Sequence, residues 1–418
     1  MNSSADRQVA ARWLVRVEDG AYSSRLLAGA PGAGVRTRVL GVLRWQRSLD
    51  AALATHLRRP IEKLDPEVRA VLRLGVFEAA VLGVPVAVAT DGAVHLVRRL
   101  GLGSASGLVN AVLRRAVPSW DRIMQQGPPD LLLSHPEWLY DRWSATFGEG
   151  AAADAMAADQ EPAEVWAWGA ENAAGDPPGG PSGAVPHPWC PGAWSLPGEA
   201  ARVIAAAKAG NAYIQDPSSQ IVARVALGLW QGGPAVDLCA APGGKAALWS
   251  HLAGGAPIVA VDRRLSRARL MKPLLERMGT PLSMVADATQ PPLESAAWNL
   301  VLVDAPCSGT GTLRRHPEIK WRLREEDILG LAEIQARILA GARDLLAENG
   351  VLLYSTCSVE PEENEGLFES MPEGAEPVEL MTVLPEGGPW IATSAGGVRI
   401  LPNALGDGFT LHALRSSH

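Results

Sequence analysis

The chain of 418 residues has a net charge of −7, 47% hydrophobic residues and a mean hydropathy of +0.04. That length exceeds one ordinary core, so two or three globular domains are expected. The longest apolar run, Ala79 to Ala89, is too short for a bilayer and contains Pro85, and the start Met1-Asn2-Ser3-Ser4-Ala5-Asp6-Arg7 lacks the basic-then-apolar pattern of a secretion signal, which argues against a membrane.

The four cysteines (Cys190, Cys239, Cys307, Cys357) include no C-x-x-C pair. Neither a metal site nor a disulfide framework is indicated, and a reduced, cytoplasmic setting is expected, where an isolated cysteine can be a nucleophile. Net charge alone argues against nucleic acid, yet it is uneven. Residues 1–125 hold 18 Arg and Lys against 10 Asp and Glu, a balance of +8 that leaves −15 for the rest. Seventeen of those 18 are arginine, suited to phosphate forks and base stacking. A solvated arginine-rich surface is the competing reading.

Residues 1–125 read as all-helical. Ala10, Trp13, Leu14 and Val17 recur at helical spacing before Gly20. A second helix carries Val39, Leu40, Val42 and Leu43, with Arg36, Arg38, Arg44 and Arg47 on its other faces, and a third carries Leu49, Leu53 and Leu57 up to Pro60. Asp65-Pro66-Glu67 is an N-cap with proline at the first helical position. Thr90 and Asp91 start another helix, and Gly107 to Arg115 forms the last, with Asn110 either a buried structural amide or an RNA contact. This order of helices resembles the NusB-like RNA-binding domain, which implies RNA contact by the helical bundle.

Residues 126–210 read as a small α+β linker domain that contacts RNA. Ser134-His135-Pro136-Glu137 opens a helix holding Trp143 and Phe147, Val165 to Trp168 is a strand, and Gly175 to Pro188 is a Gly/Pro-rich loop. Trp166, Trp168, Trp189 and Trp194 either fill a small core or stack on bases, and Cys190 is expected to be inert.

Residues 211–418 alternate strands and helices. Strands are expected at Ala235 to Leu238, Pro257 to Asp262, Ser283 to Asp287, Asn299 to Asp304 and Val351 to Cys357, with helices at Leu265 to Met278 and Glu326 to Ala347. This is the pattern of a doubly wound α/β sheet with ligands at the strand carboxyl ends. The first strand runs into Pro242-Gly243-Gly244, a turn that allows close backbone approach by a ligand. There is neither a G-x-G-x-x-G fingerprint nor a G-K-[ST] phosphate loop. Asp262, Asp287 and Asp304 end successive strands; three acids repel phosphate and suit a cationic, phosphate-free nucleoside, S-adenosylmethionine. Asp262 can take the ribose hydroxyls and Asp287 the adenine amino group. Cys307 and Cys357 follow strands at one sheet edge. A thiol beside a methyl donor suggests methylation of a pyrimidine carbon, because thiolate addition at C6 makes cytosine C5 nucleophilic. Asp304 can support that addition by hydrogen-bonding the cytosine edge. Two small buried hydrophobes are the competing reading.

Asp237-Leu238-Cys239-Ala240-Ala241-Pro242-Gly243-Gly244-Lys245, Asp304-Ala305-Pro306-Cys307-Ser308-Gly309-Thr310-Gly311 and Ser355-Thr356-Cys357-Ser358 resemble the signature motifs of the Sun-type (RsmB-like) RNA 5-methylcytosine methyltransferases. Arg314 to Trp321, Pro361-Glu362-Glu363-Asn364 and Gly406-Asp407-Gly408-Phe409 match as well. The resemblance implies a Rossmann-like class I methyltransferase domain acting on RNA, small-subunit rRNA first, and not on DNA, whose cytosine methyltransferases use the Pro-Cys cysteine as nucleophile. It implies that Cys357 is the nucleophile, that Cys307 assists product release, and that Cys239, Ala240, Ala241, Pro242, Gly243, Gly244, Lys245, Asp262, Asp287 and Asp304 line the cofactor pocket. Arg314, Arg315, Lys320 and Arg322 either hold phosphates near the pocket or make structural ion pairs. A monomer is expected. Two departures stand out: Ala246 replaces the family's Thr at the helix start, and Val165 to Asn172 lacks the arginine of the family's Leu-Arg-Val-Asn segment, which leaves the target nucleotide open. The rival readings are tRNA methylation by the same chemistry and a non-catalytic RNA-binding factor.

Overall fold

The structure is a computed structural model that describes residues 4–30, 32–169, 180–277, 282–369 and 375–417. Contacts divide the chain into two units, Met1–Pro162 with Leu313–Arg322, and Ala163–Thr312 with Leu323–His418. Ala170 to Asn172, Gly175 to Gly179 and Met278, which fall within expected segments, lie outside the described residues.

The first unit is helical: α1 (Ser4–Glu18), α2 (Ser23–Leu27), α3 (Ala33–Ala54), α4 (Pro66–Ala80), α5 (Val86–Arg99), α6 (Ser106–Gln126), α7 (Pro129–Leu132), α8 (Glu137–Phe147) and α9 (Glu149–Gln160). The cap read from sequence is present, with the Asp65 carboxylate accepting the Glu67 N–H at 3.0 Å and Pro66 following it. The two helices expected from Val39 onward are one, α3, because Gln46-Arg47-Ser48 contains no breaker, and it ends at Ala54, before the expected Leu57. α5 begins at Val86, earlier than the Thr90 start, because Pro85 fixes the preceding turn. α6 runs past Arg115 to Gln126 with the exposed Pro118 inside it, and Asn110 faces outward, not into the core. Leu14, Val39, Val42, Leu72, Val97 and Val112 are buried in the bundle's core. Buried Glu78 binds Arg7 and Arg38, and Arg73 forks onto Asp50 while also reaching Glu18. Part of the arginine excess is therefore spent inside the bundle. Because α7 to α9 belong to this unit, its boundary lies at Pro162, beyond the expected 125.

The second unit opens with a small antiparallel sheet in the order β2-β3-β1-β4, from β1 (Ala167–Trp168), β2 (Val185–Pro186), β3 (Trp194–Ser195) and β4 (Tyr213–Ile214), beside α10 (Ala200–Lys208). Trp166, Trp168, Trp189 and Trp194 are all buried, so they fill a core. Asp216 caps α11 (Pro217–Leu229) through the Ser218 N–H at 2.9 Å.

The main sheet follows: β5 (Ala235–Asp237), α12 (Gly244–Leu252), β6 (Ile258–Asp262), α13 (Leu265–Arg277), β7 (Ser283–Val285) and β8 (Trp298–Asp304). The short α14 (Ile319–Arg322) falls in the segment that belongs to the helical unit. Next come α15 (Glu325–Arg343), β9 (Leu346–Thr356), α16 (Glu365–Glu369), β10 (Ala375–Pro377), β11 (Ile391–Ala392), β12 (Val398–Ile400) and β13 (Phe409–Ser416). The sheet order is β11-β12-β13-β9-β8-β5-β6-β7, with β10 on β13; β7 through β9 are parallel and β13 is antiparallel to β9. Along β8, Leu300 and Leu302 enter one core layer and Val301 and Val303 the other. An unbroken apolar strand is what two covered faces require. α15 stops at Arg343, short of the expected Ala347, because Leu346 already pairs with Trp298 in the sheet. No described helix is long and apolar enough to cross a membrane.

Candidate active site

Parallel strands end on the same edge of a sheet, and here that rule gathers the acids. β5 ends at Asp237, β6 at Asp262 and β8 at Asp304, and β9 delivers Cys357 one residue past its end. The antiparallel β13 begins at this edge, since Thr410 pairs with Thr356, and so brings Phe409 to it.

After β5 the chain turns at Gly243, whose φ of +102° lies in the left-handed region open to glycine. A side chain on Gly244 would meet the Tyr213 ring at 2.9 Å. Lys245 then projects from the first turn of α12 to Asp304, Nζ to Oδ2 at 2.7 Å, with its ammonium 5.1 Å from the Phe409 ring centre. Burial alone would lower the lysine's pKa, but the charge and hydrogen bond of Asp304, with Cys357 and Asp237 nearby, carry it above its ordinary value. The other carboxylate oxygen of Asp304 accepts the Ser355 hydroxyl at 2.9 Å.

The two cysteines meet, Sγ to Sγ at 3.2 Å, as free thiols. The Cys307 pKa lies well above the thiol's ordinary value, first because of its hydrogen bond with Cys357 and then because of burial. Buried Glu363 fastens the residues that follow both cysteines. Its carboxylate accepts the Ser308 N–H at 2.8 Å and the hydroxyls of Ser308 and Ser358, and Gln335 Nε2 bridges it to the Pro306 carbonyl at 2.9 Å. Sequence reading gave Glu363 no role in the site; its place in the family-matching segment Pro361-Glu362-Glu363-Asn364 was the available signal. Gly311 and Gly408 also explain one another. Gly408 donates to the Gly311 carbonyl at 2.7 Å, Gly311 donates to Cys357 at 2.9 Å, and a side chain at 311 would strike the Gly408 carbonyl at 2.2 Å.

Asp237 was also missed as a site residue, although it ends its strand as the other acids do. It is fully buried, and its Oδ2 has no partner among the described residues, while Oδ1 takes the Cys239 N–H at 3.3 Å. Burial, with Asp304 adding, pushes its pKa up to about 8. Asp262 is 5% exposed; its Oδ1 accepts the Arg264 N–H at 2.9 Å and Oδ2 faces Arg267 at 3.6 Å. Asp287 stands further out, holding the Thr289 N–H and hydroxyl at 3.0 and 2.8 Å and facing Arg263 at 3.3 Å, and these bonds lower its pKa. Ala240, Ala241, Gly243 and Gly244 are buried, Pro242 is exposed, and burial, then Asp237, holds the half-buried Cys239 well above a reactive thiol's pKa. Cys239 is a wall of the turn.

The expected phosphate contacts need correcting. Arg314 and Lys320 are 3% and 1% exposed within the helical unit. Lys320 Nζ donates to the Arg44 carbonyl at 3.1 Å and lies over the Trp321 ring, and burial lowers its pKa to about 7, with Asp159 opposing and Arg44 adding. The Arg44 guanidinium donates to the Arg314 carbonyl at 2.6 Å, and Arg322 donates to the carbonyls of Val17, Gly20 and Ala21. The Arg314 guanidinium donates to the Pro162 carbonyl at 3.3 Å, so the side chains of Arg314, Lys320 and Arg322 serve internal contacts and are not displayed to phosphate. Arg315 is half-buried. Cys190 is buried, and burial pushes its pKa up to about 12, as an inert thiol requires.

The edge fits S-adenosylmethionine. A buried carboxyl oxygen lacking a donor suits the cofactor's ammonium, and the acids repel phosphate. Fold and edge together define a Rossmann-like class I methyltransferase, with S-adenosylmethionine as methyl donor. Residues 225–415 match the sequence model of the family described as 16S rRNA methyltransferase RsmB/F, and residues 4–118 match that of the NusB family. The chain is 35% identical over 398 residues to the ribosomal RNA small subunit methyltransferase B of Xylella fastidiosa, and 33% identical over 380 residues to that of Thermus thermophilus, covering 88% of both chains in each case. The crystal structure of PH0851 shares the fold, with a TM-score of 0.75 at 23% identity over 99% of each chain. The protein belongs to the RsmB/F methyltransferase family, with a NusB-like region at its amino end.

Proposed function

We propose that the protein methylates C5 of a cytosine in small-subunit rRNA, through a covalent bond between Cys357 and C6 of the base. The observation that carries this reading is the pair of sulfurs 3.2 Å apart beside the Lys245–Asp304 ion pair. Of the two, Cys307 is held as a thiol, while Cys357 is the sulfur that lies near the Lys245 ammonium. Its attack on C6 places electron density on C5, and Asp304, at the same edge, can hydrogen-bond the amino and N3 edge of the ring to stabilise the adduct. S-adenosylmethionine, when bound, supplies the methyl group. The C5 proton must then leave so that the C6–S bond can break. Once Cys357 is a thioether its sulfur is a much poorer acceptor for the Cys307 S–H, which weakens the largest cause of that thiol's raised pKa and frees it to assist release.

The target base must leave its stack to reach these sulfurs, so exposed or single-stranded RNA, and not duplex DNA, is the substrate class. The RNA-methyltransferase relatives and the arginine-rich bundle support the same reading, and a monomer acting in the cytoplasm suffices for it. Bisulfite sequencing of rRNA and tRNA from a strain lacking this gene tests it. One small-subunit rRNA cytosine should lose protection; loss confined to tRNA would reject the rRNA assignment.

A further inference from the structure

Between α5 and α6 of the helical unit lies a cleft of about 330 Å³, far in sequence from every residue of the methyl-transfer edge. Beside Ala87, Val94 and Gly107, its lining holds the polar side chains of Thr90, Asp91, Arg98, Ser106, Asn110 and Arg114. Thr90 is only 3% exposed, yet its hydroxyl oxygen has no hydrogen-bond partner among the described residues. A helical threonine normally satisfies that oxygen on the preceding turn. A buried hydroxyl without a partner costs on the order of 1–3 kcal/mol, so its presence in the wall of a cleft points to a ligand that completes it.

The rest of the lining says which ligand. Arg98 and Arg114 are exposed, and Arg98 Nε reaches Ser106 Oγ at 3.3 Å, leaving the other guanidinium nitrogens available. Ser106 begins α6, a helix of 21 residues whose N-terminus has no side-chain cap and whose dipole adds positive potential there. Asn110, outward-facing on α6, offers both a donor and an acceptor. Asp91 would repel a bare anion, but it accepts from an amino or imino N–H, which an unpaired base supplies.

We propose that this cleft is a second RNA site, which takes one unpaired nucleotide with its phosphate on Arg98 and Arg114 and its base edge toward Asp91, Asn110 and Thr90. It rests on the reading that the substrate is RNA and assigns to the helical unit a discrete contact in place of a diffuse charged face. Recognition of a splayed-out nucleotide is the common mode for single-stranded RNA.

Equilibrium binding of the full-length protein to a single-stranded fragment of small-subunit rRNA, measured against salt, tests it. Arg98→Ala/Arg114→Ala should weaken binding about tenfold and reduce the log–log salt slope by about 1.4, the share of two phosphate contacts on a single strand. Thr90→Val, which keeps the shape and removes the hydroxyl, should cost about fivefold with the slope unchanged. Arg58→Ala/Arg59→Ala, an equal charge loss at exposed positions elsewhere in the unit, should stay within about twofold of wild type with its slope intact. If wild type methylates RNA while both cleft variants bind as it does, the cleft assignment is wrong. An equal loss in the control pair with Thr90→Val silent overturns it too, in favour of diffuse charge. If wild type neither binds nor methylates RNA, the functional reading itself fails and takes the cleft with it.

Discussion

Asp237 keeps its proton where an ordinary aspartate has lost it, and the consequence for stability has a definite sign. The folded carboxyl titrates near 8, against 3.8 for the unperturbed group, because it is fully buried. Between those values the folded chain binds the extra proton, so the contribution to stability is complete below about pH 4 and is lost as the pH rises toward 8, at up to about 1.4 kcal/mol per unit. The denaturation midpoint of the ligand-free protein should therefore fall from pH 5 to pH 8, and Asp237→Asn should flatten that fall. An unchanged slope in the variant would remove Asp237 as its source. Glu363 acts differently, as a positioning residue that touches neither sulfur. Glu363→Ala should lower kcat on the order of 10²-fold, with little change in KM for the methyl donor, because the cysteine loops lose registration. Glu363→Gln, which keeps part of the hydrogen bonding, should recover some of that loss. A variant that raises KM alone would show that the contact serves binding.

Among the elements, two glycine-containing loops fit against each other with no room for a side chain. Gly311→Ala would place a carbon 2.2 Å from the Gly408 carbonyl. The backbone must move, at a cost of about 1–3 kcal/mol in denaturant titration, and with it the bond from Gly311 to Cys357. A variant as stable and as active as wild type would refute that packing. The parallel strands were legible in the sequence because each is a short apolar run closed by an acid or a cysteine, a pattern local to five or six residues. β13 was not, because its pairing with β9 joins segments more than 50 residues apart. The helix limit around Gln46 was misplaced for a related reason: an arginine resembles a surface end in sequence, yet Arg38 and Arg44 are buried on internal partners. The site followed the same division. Cys357, Cys307, Asp304 and the glycine turn could be given roles from their motifs, whereas Asp237 and Glu363, though inside matching segments, acquired roles only from their burial and partners.

On the scale of the whole molecule, the segment Leu313–Arg322 corrects the sequence reading most. Its basic residues follow the Pro-Cys motif closely in sequence, yet they belong to the helical unit and hold its backbone. Basic residues available to RNA must be sought elsewhere, on exposed positions such as Arg98 and Arg114. The central claim concerns the two sulfurs, and a denaturing gel tests it most directly. Cys307→Ala, incubated with its rRNA substrate and S-adenosylmethionine, should accumulate a protein–RNA adduct that survives denaturation. Cys357→Ala should form none and lose methylation by a factor on the order of 10⁴ or more, and the double variant should also form none. Methylation that persists in Cys357→Ala, or an adduct that survives in the double variant, would contradict the assignment of Cys357 as the nucleophile.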